Sequence, residues 1–339
     1  MTVQTLFQMK SLLFSPCILL SFSIPFLFQT VQAQSEIELM PLPKTEKFCF
    51  QPIPKLIIPE LDKPFASSHK PLSRSWLKPT VVLGSSAAIL GSLYAYMNNA
   101  WWKDSTSGFR FDNGRDFRYA NNLDKMGHFM GGLITADAYY DAFKWMSESD
   151  ESAAWWGFSM GVGIQLAMEI KDGRGVRWGF SIADLAAGSI GAFQPYLRLK
   201  SPFFHQTQFK WSYWQRNMKY FREVAFYKKA YINDDYLNQT YWMTTSLPHL
   251  TGHRLKWLPD WLGLSLGWGI EAESWDTNPN DRGTGGKIEL YLAPDIDWFK
   301  LLKPKKAFWK HVIRRLNYIK TPMPTLQLTQ KPRGWWLYF

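Results

Sequence analysis

The chain of 339 residues has only two cysteines, Cys17 and Cys49. That excludes a disulfide-stapled scaffold. No Cys-x-x-Cys pair and no Cys/His cluster exists, so a structural zinc site is excluded as well. Charge is also scarce, at 20% of residues, while aromatics reach 17%. Intrinsic disorder needs the opposite balance. Acidic residues are the scarcer sign: 28 against 39 basic ones leave a formal net charge of +11. No acid occurs in residues 300–320, where eight Lys and Arg fall. A basic, aromatic chain fits either nucleic acid or an anionic membrane surface.

The first residues decide between these partners. Lys10 precedes an apolar run over 11–28, followed by the small-residue exit Val31-Gln32-Ala33. This is the pattern of a secretory signal peptide over 1–33, cut after Ala33. Pro16 and Pro25 inside the run suit a cleaved segment better than a permanent anchor. Cys17 would leave with it, and Cys49 would remain alone. An exported basic protein meets lipid head groups and envelope polymers, so an anionic membrane surface or envelope component, or an envelope protein, is the expected partner. Nucleic acid is not.

Residues 34–78 are Pro-rich and read as a linker. Residues 79–102 contain no charge, are bracketed by Lys78 and Lys103, and end in Trp101-Trp102. Such a stretch is long enough to span a bilayer, and a buried core helix explains it equally well. Further apolar helices are predicted over 122–147, 152–168 and 181–197. Four apolar helices would make a helical bundle unit over 79–200. Residues 201–339 form a different, mixed region. Residues 211–230 read as a basic amphipathic helix, and 300–320 as a second one, suited to an interface or equally to a solvated helix covering the sheet. Residues 262–273 alternate with period two, and 287–292 follow after a turn-rich segment, so the two form an antiparallel hairpin. Residues 326–330 and 334–339 add strands. The aromatic end at Phe339 is similar to the insertion signal of outer-membrane barrels, but four or five strands fall short of the eight such a barrel needs. The fold class is therefore α+β.

The charges placed inside the apolar half carry the functional information, because each is expensive there. Asp124 and His128 share a helix face, with Lys125 beside them. Glu169 and Asp172 end one helix. Ser181 and Asp184 open the next, in the form of an N-cap. The loop 171–177 adds Lys171, Arg174 and Arg177. Three readings follow: a structural polar network, an acid/base site on His128 with Asp124 orienting it, or a metal site from Asp124, His128 and Glu169 or Asp184. The network is favoured, with no metal, no cofactor and no catalytic residue assigned. Two Gly-x-Ser-x-Gly matches, around Ser159 and Ser265, lack the strand–turn–helix setting of a nucleophile elbow.

Asp124-Lys125-x-x-His128-Phe129, Glu169-x-x-Asp172, Gly179-Phe180-Ser181-x-x-Asp184 and Gly191 occur in that order. This set resembles the YfiM-like family of predicted periplasmic proteins and lipoproteins of unknown function, distantly VanZ-like, over residues 124–191. The resemblance implies an envelope location and a small helical unit with a shared polar centre; it supplies no reaction. The chain departs from the family by lacking a lipoprotein cysteine and by carrying Gly188 where members often have Asn or Asp. The expectation is an exported, membrane-associated envelope protein with a non-enzymatic structural or interaction role, in the periplasm or at the outer membrane. The alternative is a membrane-embedded hydrolase or transferase on an envelope lipid or phosphate.

Overall fold

The computed structural model describes residues 76–103, 106–224, 231–271, 275–276, 284–329 and 331–339. The expected signal peptide, both cysteines and nearly all of the expected linker lie outside them.

Helix α1 (Leu77–Met97) carries no charge beyond Lys78 and runs on as a π-helical turn, Asn98–Trp102. It is long and apolar enough to cross a membrane, and most of its surface is exposed. Only its last turns are covered. There Leu93, Met97 and Trp102 pack on Met168, with Trp178 alongside. Helices α2 (Lys125–Trp145), α3 (Asp150–Asp172) and α4 (Ile182–Ala192) pack on one another. The expected four-helix bundle is thus not evident. A helix apolar all round has no polar side to turn to water, and α1 has little protein to turn its apolar side to.

The packing of α2 against α4 depends on missing side chains. A Cβ on Gly191 would lie 1.8 Å from the Phe129 carbonyl oxygen, and one on Gly132 would lie 1.9 Å from that of Gly188. The backbones touch, which places the starts of both helices side by side. Ser181 caps α4 by accepting from the Asp184 N–H at 3.1 Å, as its spacing predicts. The helix expected over 181–197 breaks at Phe193 and resumes as α5 (Gln194–Lys200), with Pro195 at its start.

The second half is a six-stranded antiparallel sheet. Its strands are β1 (Thr207–Tyr213), β2 (Gln239–Ser246), β3 (Leu262–Ile270), β4 (Ile288–Ile296), β5 (Met323–Gln327) and β6 (Arg333–Tyr338). They pair in sequence order. The predicted hairpin is present as β3 and β4, in register from Leu262↔Ile296 to Ile270↔Ile288. The predicted helix over 211–230 is corrected. Phe209, Trp211 and Tyr213 alternate with Lys210 and Ser212, so the segment is a strand, and only Lys219–Val224 is helical within the described residues. The basic segment 300–320 is likewise interrupted. A short helix, Trp298–Leu302, stops at Lys303 with φ 44°, and α6 (Ala307–Leu316) follows Pro304.

The sheet carries polar groups on its inner face. In β3 Gly263, Ser265, Gly267, Gly269 and Ile270 are buried, while Leu262, Leu264, Leu266 and Trp268 are half-exposed. In β4 the buried set is Glu289, Tyr291, Ala293 and Asp295. The glycines make room for a ring: a Cβ on Gly267 would lie 2.6 Å from the Trp242 indole. Inside, Lys210 and Lys320 are 0% and 2% exposed, and both reach Asp295, at 2.9 and 3.6 Å. Burial lowers the Lys320 ammonium to about 8, although Asp295 works against it. The sheet curls on itself: the Tyr338 hydroxyl on β6 meets the Thr240 hydroxyl on β2 at 2.7 Å. Next to β1, Trp211 exchanges backbone hydrogen bonds with Tyr318 and Lys320, both at 2.8 Å. Part of the outer face rests on the helices, with the Phe129 and Phe209 ring centroids 4.6 Å apart. The rest, including Leu326 and Trp336, is bare.

The glycine contacts give a direct test. Gly191→Val should lower stability by about 3 kcal/mol or more, outweighing the small helix-propensity gain. The same change at Gly163, where a Cβ meets nothing within 4 Å, should cost little. Equal melting temperatures for the two variants would refute the close backbone packing.

Candidate functional site

Four segments deliver polar side chains to one place. The start of α2 supplies Asp124, Lys125 and His128, and the last turns of α3 supply Gln165 and Glu169. The start of α4 supplies Ser181 and Asp184. The fourth segment is the loop 106–123. It is pinned along the helical unit by backbone hydrogen bonds, among them Arg110 N–H to Gly173 O at 2.8 Å and Asp112 N–H to Phe180 O at 3.1 Å. That fastening carries Asp116 into the cluster.

Lys125 is at the centre and is 2% exposed. Its ammonium contacts Asp116, lies 2.7 Å from Asp184 Oδ1 and 3.4 Å from Asp124 Oδ2. Ser181 ties two of the segments together. Its hydroxyl donates to Asp116 Oδ2 at 2.9 Å and its N–H donates to Glu169 Oε2 at 2.8 Å. His128 Nδ1 lies 2.8 Å from Gln165 Oε1 and 3.7 Å from Glu169 Oε1, and its Nε2 lies 3.9 Å from Asp184 Oδ2. With Gln165 Oε1 as acceptor, Nδ1 carries the proton and Nε2 faces the Asp184 side. The His128 side chain is 16% exposed, more open than Lys125 at 3%, Glu169 at 2% and Asp184 at 7%.

The two central acids are driven apart. Burial pushes the Glu169 carboxyl well above its usual range, and the charges of Asp184 and Asp172 add to it. Burial also works to raise Asp184. There the Lys125 ammonium, the His128 ring and the Ser181 hydroxyl outweigh it and hold the carboxyl below its usual range. The cluster therefore favours the proton on Glu169 over Asp184. Two titratable groups pushed in opposite directions can serve as acid and base, and they can equally be one buried network with its charges balanced.

Six of the seven expected residues converge. Asp172 stands at the margin, where it accepts from Trp102 Nε1 at 2.7 Å. The loop cations do not join the cluster: among the described residues no ion pair links Lys171 or Arg174 to it. Asp116 and Gln165 are additional members. Gln165 had a signal, lying one helical turn before Glu169 on the same face. Asp116, in a polar loop, had none. Asp124, His128 and Asp184 each place one ligand-type atom within 4.8 Å of the others. The Lys125 ammonium already stands among these carboxylates as their cation, and a metal ion would have to compete with it. Neither serine of the Gly-x-Ser-x-Gly matches has nucleophile geometry. Ser159 Oγ donates to the Trp155 carbonyl within its own helix, and Ser265 bonds Thr244 inside the sheet.

No protein-family model, no curated protein and no solved structure matches this chain. The cluster is read on its geometry alone.

Two outcomes are expected. Lys125→Met leaves Asp116, Asp124 and Asp184 without their cation and should cost about 3–5 kcal/mol, read as a large fall in melting temperature. Glu169 has a raised folded pKa, so its contribution is full below the unfolded value and is lost as pH rises through the folded one. Glu169→Gln should flatten that decline and raise stability at neutral pH, with Ser181 N–H still bonded. A pH–stability profile of the variant that parallels the parent would contradict the protonated state.

Proposed function

We propose that the chain is an exported, membrane-associated protein of the cell envelope with a structural or interaction role. One observation supports this above the others: besides the apolar core between helices and sheet, the chain leaves broad apolar surface exposed. The uncovered face of α3 presents Trp155, Trp156, Leu166 and Ile170, and α1 presents Val81, Leu83 and Ile89. On the sheet, Leu326 and Trp336 are 55% and 90% exposed. Patches of this kind are costly in water and suited to lipid.

The basic segment adds exposed charge. Arg314 and Arg315 are used up on Asp141, at 2.9 and 2.7 Å. Lys305, Lys306 and Lys310 are exposed beside the exposed Phe308 and Trp309. Basic residues next to bare aromatics suit an anionic lipid interface. Export rests on the apolar run over 11–28, and the YfiM-like resemblance agrees with an envelope location. In this reading α1 lies in the bilayer, and the Lys125 cluster locks the helices.

A second reading is favoured by one detail. His128 is the partly open member of the cluster, and its Nδ1 lies within hydrogen-bond distance of Gln165 Oε1. That is the arrangement of an acid/base residue in a hydrolase or transferase acting on an envelope lipid or phosphate.

Two measurements separate these. The full chain should bind anionic vesicles, and the bound fraction should fall as salt rises. Trp336→Glu should weaken binding to neutral vesicles as well; absence of binding, or binding indifferent to salt and to both surfaces, would sink the membrane reading. His128→Gln should leave the envelope function intact while lowering melting temperature by an amount matching about 1–3 kcal/mol. Loss of function at normal abundance and stability would favour the catalytic reading instead.

A further inference from the structure

Where α1 and α3 end, a second polar site lies apart from the Lys125 cluster. It is a pocket of about 290 Å³ lined by Trp102, Thr106, Ser107, Lys171, Arg174 and Gly175. Its shape is fixed by the backbone: Thr106 bridges Gly175, and the Ser107 N–H donates to the Arg174 carbonyl at 2.7 Å. The Lys171 ammonium stands 5.6 Å from the Tyr94 ring centroid and 5.7 Å from that of Trp102. The indole is itself anchored by its bond to Asp172. Among the described residues, neither Lys171 nor Arg174 has a carboxylate within ion-pair distance. Two cations, with Thr106 and Ser107, therefore line a pocket in which, among the described residues, no carboxylate is paired with either cation.

The surroundings specify what would supply that charge. The exposed apolar faces of α1 and α3 both run toward this point, through Ile89 and Tyr94 on one and Leu166 and Ile170 on the other. An anion here sits at the end of a bare apolar surface, next to Trp101-Trp102. We infer that the pocket binds the phosphate of an amphiphile, a phospholipid headgroup whose acyl chains lie along α1 and α3. Arg174 can take a phosphate through two N–H groups, and Lys171 supplies a point charge already held between rings. The inference rests on the membrane reading for its lipid; the phosphate chemistry does not.

The test uses the full chain in neutral detergent. Binding is measured for short-chain phosphatidic acid, for short-chain phosphatidylcholine and for inorganic phosphate. Phosphatidic acid should bind with one-to-one stoichiometry, more tightly than the other two. Lys171→Gln with Arg174→Gln should weaken it about tenfold or more, whereas Arg254→Gln with Lys256→Gln, which removes equal charge at another exposed place, should not. The charge-keeping pair Lys171→Arg with Arg174→Lys should retain most of the binding and so excludes misfolding as the cause. Equal binding by the parent and the Lys171/Arg174 glutamine variant overturns the pocket, and the membrane reading survives if vesicle binding persists. If vesicle binding fails but inorganic phosphate still depends on Lys171 and Arg174, the pocket stands as a phosphate site and its lipid source falls. If neither phosphate ligand depends on the two residues, the inference is wrong.

Discussion

Lys125 holds together the loop that carries Asp116, the first turn of α2 and the first turn of α4. A buried ammonium with no partner would be intolerable, and so would three buried carboxylates with no cation. Each side of this exchange fixes the other in place. The geometry is possible only because α2 and α4 touch at Gly132, Gly188 and Gly191. A side chain at Gly132 or Gly191 would hold the helix starts apart and draw Asp184 away from the ammonium, and one at Gly188 would displace Gln165. Packing of small residues and placement of charge are thus one constraint, seen from two sides.

The same logic recurs in the sheet with different parts. There Asp295 stands between Lys210 and Lys320, and glycines in β3 give up volume to Trp242. Both halves place ionic and hydrogen-bonded groups beside an apolar core that runs between helices and sheet, and both leave further Leu, Ile and Trp side chains exposed. In water that exposed surface contributes nothing to folding. In the proposed lipid setting it has an apolar neighbour. The bare length of α1, the outer face of α3 and the uncovered part of the sheet are consistent with one environment.

The cluster was largely legible in the sequence because each member interrupts an apolar run, where a charge needs a partner. Asp124, Lys125, His128, Glu169, Ser181 and Asp184 stood out for that reason. Asp116 did not, since a charge in a polar loop needs no explanation until the loop is seen fastened to Gly173 and Phe180. The β3–β4 hairpin was legible from period two. Its polarity was not, because alternation defines two faces without saying which is inside; Gly267 against Trp242 decides that. Strand β1 was hidden by its composition, in which Lys210 reads as a solvent-facing charge though it is fully buried. Strand β2 lay in a stretch without clear alternation, since nearly all of its residues are covered.

The order of the strands has a consequence for assembly. Each strand from β1 to β6 pairs with its sequence neighbour, so the sheet can be laid down hairpin by hairpin at small loop-closure cost. One contact breaks that rule: Trp211 bonds the backbone at Tyr318 and Lys320, more than a hundred residues on. This seam can close only after the last third of the chain has arrived. Until then β1 offers an unpaired edge to any other extended chain, its own copies included. The same Lys320 whose backbone closes the seam also carries the ammonium that reaches Asp295. Closure of the edge therefore also brings a second ammonium to Asp295, beside that of Lys210.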